Sequence, residues 1–360
     1  MVDAPSMPKV TVVMPVYNGE RFLGQAIESI LGQTYSNFEL FIVDDASTDG
    51  SVDIIRSYQD ARIRLIQNAS NRGPAYSRNI ALNQGRGQYA ASLDADDVAC
   101  LTRLQMEASY LDEHPDVALV AGTGEAIDET GRSLGINLPL RNDVAIRWRL
   151  LFRNTINGGT VMYRRALALQ AGGYDERFTP AEDYLLWVKL AKFGSIFNLD
   201  EVLTRVRQNP RSLTHSRPIE LRERTLSVVQ RSVTDLLGFE VAPEVAAFLN
   251  GSSFGADRDV ARNGYDVYWQ CLRSFALRKA TRKADRALLF DLVLQDLLVL
   301  GRECEAERGH ALRIALLFGL GFSPSRLLTA SFARFAARVV LAARVRRWFQ
   351  HPTLREGTIA

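Results

Sequence analysis

The chain has 360 residues, 44 Lys plus Arg against 41 Asp plus Glu for a net charge of +3, and 47% apolar residues, which is enough for one large or two ordinary domains with a substantial core. Its three cysteines, Cys100, Cys271 and Cys304, are isolated in sequence and form neither a metal-ligand pair nor a disulfide framework, so they read as reduced thiols of a cytosolic protein. The opening Met1-Val-Asp-Ala-Pro lacks the regions of a secretory signal, and no stretch reaches the roughly 18 uncharged apolar residues of a membrane span.

In chain order, the first predicted element is a strand, Val10-Thr-Val-Val-Met-Pro15-Val, running into Tyr17-Asn18-Gly19. A helix follows, since Phe22, Leu23, Ala26, Ile27, Ile30 and Leu31 recur at helical spacing. A second apolar run, Phe38-Glu-Leu-Phe-Ile-Val, stops at Asp44 and Asp45. Continuous Val and Ile runs of this kind indicate strands covered on both faces, as in a parallel sheet. A third run from Tyr89 ends abruptly in Asp94, Asp96 and Asp97. Carboxylates so close repel one another unless water or a cation lies between them. Hard oxygen ligands at a strand end suit Mg²⁺ or Mn²⁺, which bind one or two carboxylates and complete their shells with water and substrate phosphates. Ligands of such sheets sit at the carboxyl ends of the strands, so all three polar clusters are expected in one crevice.

The series Pro15-Val-Tyr17-Asn18, Val43-Asp44-Asp45-Ala-Ser-Thr-Asp49-Gly50, Asn71-Arg72-Gly73 with Ser77-Arg78-Asn79, Leu93-Asp94-Ala-Asp96-Asp97, Gly172-Gly173-Tyr174-Asp175 and Ala181-Glu182-Asp183-Tyr184-Leu-Leu-Trp187 resembles family 2 glycosyltransferases of the GT-A fold. The likeness runs over about residues 8 to 215 and is specific as a set. It implies an α/β, Rossmann-like, mostly parallel sheet with flanking helices, and an inverting enzyme that uses a nucleoside-diphosphate sugar, UDP-linked, with Mn²⁺ or Mg²⁺. It places Pro15, Tyr17, Asn18 and Asp45 around the base, and Gly73, Arg78 and Asn79 on the nucleotide side. Asp94 falls to the ribose and Asp96 to the metal, with Asp97 either supporting the metal ligands from behind or making a second metal contact.

An inverting displacement needs a carboxylate base on the face opposite the leaving group. Asp183 matches the base position of the family, and Glu182 beside it is expected to raise its pKa by repulsion or to bind acceptor. Gly158-Gly159-Thr160 and Gly172-Gly173-Tyr174 are expected to shape the sugar pocket. Family members often carry an Arg-x-Arg-x-His-like stretch after the base, but here Arg205-Val-Arg207-Gln208-Asn209 puts Asn209 in the histidine's place. His215 is the candidate replacement if the loop folds back, and Arg205 and Arg207 are candidate diphosphate contacts. Two other readings stay open. A sugar nucleotidylyltransferase would need a Gly-rich loop that Val10 to Gly19 lacks, and a non-catalytic sugar-nucleotide-binding or scaffold protein would not present Asp183 to the pocket.

A domain boundary is expected near residues 209 to 220, dividing a catalytic domain, 1 to 215, from a helical region, 216 to 360. Residues 261 to 360 hold 17 Lys plus Arg against 8 Asp plus Glu, a balance of +9, which leaves −6 for the first 260. From Ala311 to Leu354 there is no acidic residue, and Leu328, Phe332, Phe335 and Val339 follow helical spacing with Arg334 and Arg338 off their stripe. Such a helix either rests on an anionic membrane surface or packs its stripe on the domain. No nucleic-acid-binding signature is present. The expected acceptor is a saccharide or a lipid-linked one, and the expected location is cytoplasmic, peripheral to the membrane face.

Overall fold

Strand β1 (Val10–Val16) pairs in parallel with β2 (Phe38–Asp44) on one side and with β4 (Tyr89–Ser92) on the other, and β3 (Ile63–Gln67) adds in parallel to β2. The computed structural model describes residues 7–210, 212–253, 256–279, 282–303 and 307–322, with 327, 329 and 332–337. All seven residues of β2 are buried, as its uninterrupted apolar run requires. The crossovers are α1 (Leu23–Leu31), α2 (Ser51–Ser57) and α3 (Pro74–Gln84). Helix α1 buries Leu23, Ala26, Ile27 and Ile30, four of the residues whose spacing predicts it, against Val12, Met14 and Leu40 of the sheet. Gly87, just before β4, lies against β1 so closely that a Cβ there would stand 2.4 Å from the backbone nitrogen of Thr11.

The other half of the sheet is mixed. Its strands are β5 (Val98–Ala99), β6 (Val117–Ile127), β7 (Ser133–Asn137), β8 (Val161–Arg164) and β9 (Ser195–Arg207), and the order across the sheet is β3-β2-β1-β4-β8-β6-β9-β5, with β7 on β6. Strand β8 is antiparallel to both β4 and β6, β5 is antiparallel to β9, and β6 with β9 is parallel. Helices α4 (Arg103–Glu113), α5 (Asp143–Leu150), α6 (Arg165–Gln170) and α7 (Glu182–Leu190) complete the α/β layers, and a 3-10 turn spans Gly158–Thr160.

The chain divides into two compact units, Met1–Val228 and Val229–Ala360. After α8 (Leu213–Ser216) and α9 (Pro218–Leu237), the second unit is built from α10 (Pro243–Asn250), α11 (Arg258–Lys279), α12 (Lys283–Glu303) and α13 (Arg308–Phe322). Helices α10 and α11 meet where Gly264 leaves room for the Phe248 ring, since a Cβ at 264 would stand 2.2 Å from it. Most of the acid-free stretch 311 to 354, including Arg338, Arg344, Arg346 and Arg347, lies outside the described residues. Within them Phe335 is buried, and Phe332 packs on Phe290 at 6.3 Å between ring centroids. That part of the apolar stripe therefore faces the protein. Among the described residues no helix is long and apolar enough to cross a membrane, and Cys100 and Cys271 are free thiols.

Candidate active site

The carboxyl ends of β1 and β2 carry two non-glycine residues with positive φ, Asn18 at 50° and Ala46 at 61°. Backbone held there costs energy, and such residues concentrate at functional sites. Asn18 accepts the backbone N–H of Thr48 at 2.8 Å through its side-chain oxygen, which ties the two strand ends together, while Tyr17 beside it is exposed. Asp45 is buried, and its carboxylate accepts the backbone N–H of Arg72 and of Gly73, the latter at 2.7 Å, and the Asn68 amide at 2.7 Å. It thus fastens the loop whose Gly73, at φ 87°, opens α3.

Arg78 on α3 joins two clusters that are far apart in sequence. Its Nη2 donates to Asp94 Oδ1 at 2.8 Å and its Nη1 to Glu182 Oε1 at 2.6 Å, with the Tyr174 ring 5.6 Å from the guanidinium. Burial alone would lower the arginine's pKa, but Asp94 and Glu182 outweigh it and hold the pKa above the ordinary value. Asn79, expected on the nucleotide side, instead bonds the backbone of Tyr174 in both directions, accepting its N–H at 2.9 Å and donating to its carbonyl at 2.7 Å. Its amide braces the Gly172–Tyr174 turn.

The carboxylates after β4 point to different surroundings. Asp94 is exposed along much of its side chain. Asp96 has a raised pKa, first through burial and then through repulsion from Asp94, with the Asn209 amide, 3.0 Å from its Oδ2, pulling the other way. Asp97 is buried, its Oδ1 accepts the backbone N–H of Arg207 at 2.8 Å, and burial followed by Asp94 and Asp96 drives its pKa well above the carboxylate range. Asp97 also abuts Gly159, where a Cβ would stand 2.6 Å from its Oδ2.

Arg207 does not serve as a free diphosphate contact. Its buried guanidinium lies over the Phe22 ring and donates to the carbonyls of Asp96, Asp128 and Glu129 and to the Gln25 side chain, at 2.9 to 3.0 Å. Its charge stands behind the carboxylate turn and holds it in place. Arg205 is likewise engaged, with Glu125 at 3.0 Å. His215, on α8, is exposed and shares a 2.8 Å hydrogen bond with the Ser212 hydroxyl, whereas it is Asn209 that reaches Asp96.

Glu182 and Asp183 occupy the first turn of α7. Glu182 is buried, and its second oxygen, Oε2, has no hydrogen-bond partner among the described residues. Asp183 keeps part of its surface open. Its Oδ1 accepts the backbone N–H of Tyr184 at 2.5 Å and its Oδ2 the Asn154 amide at 3.3 Å, while Gly158 leaves space for it, a Cβ there standing 3.0 Å from Oδ2. Loss of hydration, then repulsion from Glu182, raises its pKa to about 7 despite the opposing charge of Arg78.

Among the described residues no cluster of three or more His, Cys, Asp or Glu side chains assembles a metal cage. The donor set still fits Mg²⁺ or Mn²⁺. A hard cation held by one or two carboxylates and completed by phosphate oxygens needs no more, and Asp96 stands close enough to Asp94 for their charges to repel, which a cation would relieve.

Sequence reasoning did not find the pair on α4. Arg103 and Glu107 are fully buried and 3.2 Å apart, and Arg103 Nη2 donates to the carbonyls of Ser92 at 2.7 Å and Val161 at 3.2 Å, fixing the end of β4 directly below the carboxylates. Burial raises the Glu107 pKa to about 7 against the pull of Arg103. The four-residue spacing was visible, but it also fits a solvated helix pair.

The family model for glycosyl transferase family 2 matches residues 11–170. EpsE of Bacillus subtilis, which bears a glycosyltransferase name, is 37% identical over 223 residues, spanning 59% of this chain and 79% of the relative. The chain belongs to glycosyltransferase family 2. An Escherichia coli relative of this glycosyltransferase, the UDP-Glc:alpha-D-GlcNAc-diphosphoundecaprenol beta-1,3-glucosyltransferase WfgD, is 30% identical over 216 residues, 59% of this chain and 82% of the relative. This chain has the GT-A fold of residues 1–349 of S. aureus TarS, solved in complex with UDP-GlcNAc, with a TM-score of 0.56 at 19% identity over 87% of this chain and 92% of that one. The mannosyltransferase PcManGT from Pyrobaculum calidifontis, solved with GDP-Man and Mn²⁺, aligns with a TM-score of 0.50 at 18% identity over 88% of each chain.

Proposed function

We propose that this glycosyltransferase transfers a sugar from a UDP-linked donor, with inversion, to a hydroxyl of a saccharide or lipid-linked acceptor, and that Asp183 is the general base. The observation that carries the reading is the Arg78 bridge. One guanidinium bonds both Asp94 and Glu182, so the carboxylate turn after β4 and the first turn of α7 face a common space. Asp183 lies next to that bridge with a pKa near 7, suited to take a proton at neutral pH.

Pro15, Tyr17, Asn18 and Asp45 hold the base at the ends of β1 and β2, and Asp94 meets the ribose. Asp96 would hold Mg²⁺ or Mn²⁺, which would supply positive charge for the departing diphosphate. Asp97 acts from behind, through the Arg207 backbone that it anchors. In the transfer the acceptor hydroxyl gives its proton to Asp183 as its oxygen bonds the anomeric carbon. The bond from that carbon to the phosphate oxygen breaks, and its electron pair leaves with the nucleoside diphosphate. Attack opposite the leaving group turns an α-linked donor into a β-linked product. Glu182, paired with Arg78 at 2.6 Å, repels the Asp183 carboxylate and so raises its basicity.

The relatives' names support a nucleotide-sugar donor, and the WfgD name supports a lipid-linked acceptor for this chain as well, which suits cell-envelope polysaccharide synthesis at the cytoplasmic membrane face. Membrane association through residues 311 to 354 would rest on their positive charge and on the exposed Leu316, Leu317 and Leu320, and not on Phe332 and Phe335, which pack inward.

Two variants test the assignment. Asp183→Asn keeps the shape but cannot accept a proton, so transfer falls by about 10² to 10⁴-fold, while UDP binding in Mn²⁺, measured by calorimetry, stays near normal. Asp96→Asn weakens Mn²⁺-dependent UDP binding as well as turnover. Full transfer by Asp183→Asn would remove it as base, and a wild-type protein that binds UDP and transfers nothing would favour the non-catalytic reading.

A further inference from the structure

At the amino-terminal edge of the parallel strands, opposite the donor end, a cavity of about 350 Å³ is lined by Arg62, Arg64 and Arg86 together with Asn37, Phe38 and Glu39. Glu39 is buried and already satisfied. Its Oε1 accepts the Thr11 hydroxyl at 2.8 Å and the Arg86 backbone N–H at 2.6 Å, and its Oε2 accepts Arg86 Nε at 3.3 Å. Arg62 is spent differently. Two of its nitrogens bond both oxygens of Asp60 and the Leu31 carbonyl, and its plane lies 4.5 Å from the Phe38 ring.

Arg64 is surplus to this arrangement. Its nearest carboxylate oxygen, on Glu39, is 3.8 Å away, and its guanidinium sits 5.5 Å from the Phe41 ring with nearly half of its side chain exposed. An exposed ion pair of that length adds little stability, so structural need does not account for it. Both Nη groups of Arg86, Nη1 of Arg62 and most of Arg64 have no hydrogen-bond partner among the described residues. Three guanidiniums thus meet two occupied carboxylates in a region of the sequence that carries −6 overall. Aromatic rings and carboxylates hold their planes in place, and oriented guanidiniums with free N–H groups match tetrahedral phosphate. A cavity of this volume is of ligand size and exceeds what a bare ion fills.

We propose that this cavity binds a phosphate monoester, carried either by a soluble metabolite or by an anionic lipid headgroup. The site is separate from the donor site. Glu39 lies near the start of β2 and Asp45 just past its end, six residues and about 20 Å apart along extended chain.

The test uses the full chain in EDTA, so that phosphate has no metal to follow into the donor site. Glycerol 3-phosphate is titrated calorimetrically, and vesicles of phosphatidylcholine with and without phosphatidic acid are used for co-sedimentation. Wild type binds glycerol 3-phosphate, or phosphatidic acid vesicles, more weakly as salt rises. Arg64→Gln/Arg86→Gln loses at least tenfold in affinity while keeping its UDP binding in Mn²⁺. Arg64→Gln alone, which removes only the 3.8 Å contact to Glu39 and the Phe41 ring contact, loses part of the affinity and covers the case in which the double variant is unstable. Comparison at constant C-terminal sequence keeps the basic tail out of the difference. Binding of the soluble ester identifies a metabolite, and binding of vesicles alone identifies a headgroup. No binding of either, binding indifferent to both variants, or an equal loss in Asp96→Asn would overturn the proposal.

Discussion

Asp183 is an acid whose environment works against its charge. Water is partly excluded, Glu182 is adjacent, and Arg78, the Tyr184 N–H and the Asn154 amide favour the carboxylate, with the net result a pKa of about 7. A base must be deprotonated to act, so transfer should rise with pH through about 7 and level off above it. The Glu182→Gln variant removes the neighbouring charge, and the midpoint of the kcat/KM profile should move to lower pH. A wild-type profile flat from pH 5 to 8, or an unmoved midpoint in Glu182→Gln, would mean that this carboxylate is not the group being titrated. Other residues acquire their roles only through distant partners. Asn79 and Arg207 look, by position, like ligand contacts, yet Asn79 braces Tyr174, 95 residues on, and Arg207 reaches Gln25, 182 residues back. A side chain's donors are spoken for by whatever the fold brings near, and motif spacing carries no trace of that.

At the scale of elements, legibility followed burial. The strands β1, β2 and β4 were readable because continuous apolar runs stop at polar clusters, and the α1 stripe because its buried face recurs at helical spacing. The antiparallel half was not readable. Strand β8 has four residues, and β9 alternates buried and partly exposed positions around a bend, so neither has a signal stronger than a loop's. The Arg103–Glu107 pair beneath β4 was hidden for a different reason, as its burial is set by the sheet that α4 packs on and not by α4 itself. Removing one partner of a buried pair strands the other's charge, at a cost of about 3 to 5 kcal/mol, whereas replacing both by apolar residues is often neutral. Arg103→Met is therefore expected to lower the urea midpoint sharply. Here the raised Glu107 pKa lets the lone acid take up a proton, so the loss should be smaller at pH 6 than at pH 8. The double variant Arg103→Met/Glu107→Leu should recover most of the midpoint. If the double variant were as unstable as the single, the two bonds from Arg103 to Ser92 and Val161, and not the charge pair, would hold the β4 end.

For the molecule as a whole, acids with raised pKa values gather under and around one crevice. Glu107 and Asp183 are pushed to about 7, and Asp96 and Asp97 are raised as well, in each case by burial first. A carboxyl whose folded pKa lies above its unfolded value contributes stability that is complete below the unfolded pKa and lost as pH rises through the folded one. The metal-free protein should therefore lose stability between about pH 4 and pH 7. The carboxylates held low by hydrogen bonds, such as Asp60 and Asp128, act at lower pH and do not oppose this trend. A cation at Asp96 favours the charged forms that the apo fold disfavours, and a ligand that binds only the native state adds about 2.7 kcal/mol at a hundredfold excess over its dissociation constant. The rise in melting temperature caused by UDP with Mn²⁺ should consequently be larger at pH 8 than at pH 6, and UDP in EDTA should give little rise at either. Thermal melts at the two pH values, with each ligand alone and with both together, measure this directly. An equal rise in EDTA would detach UDP binding from the metal, and a rise that shrank toward pH 8 would mean that the carboxylates of the crevice are not what the cation engages.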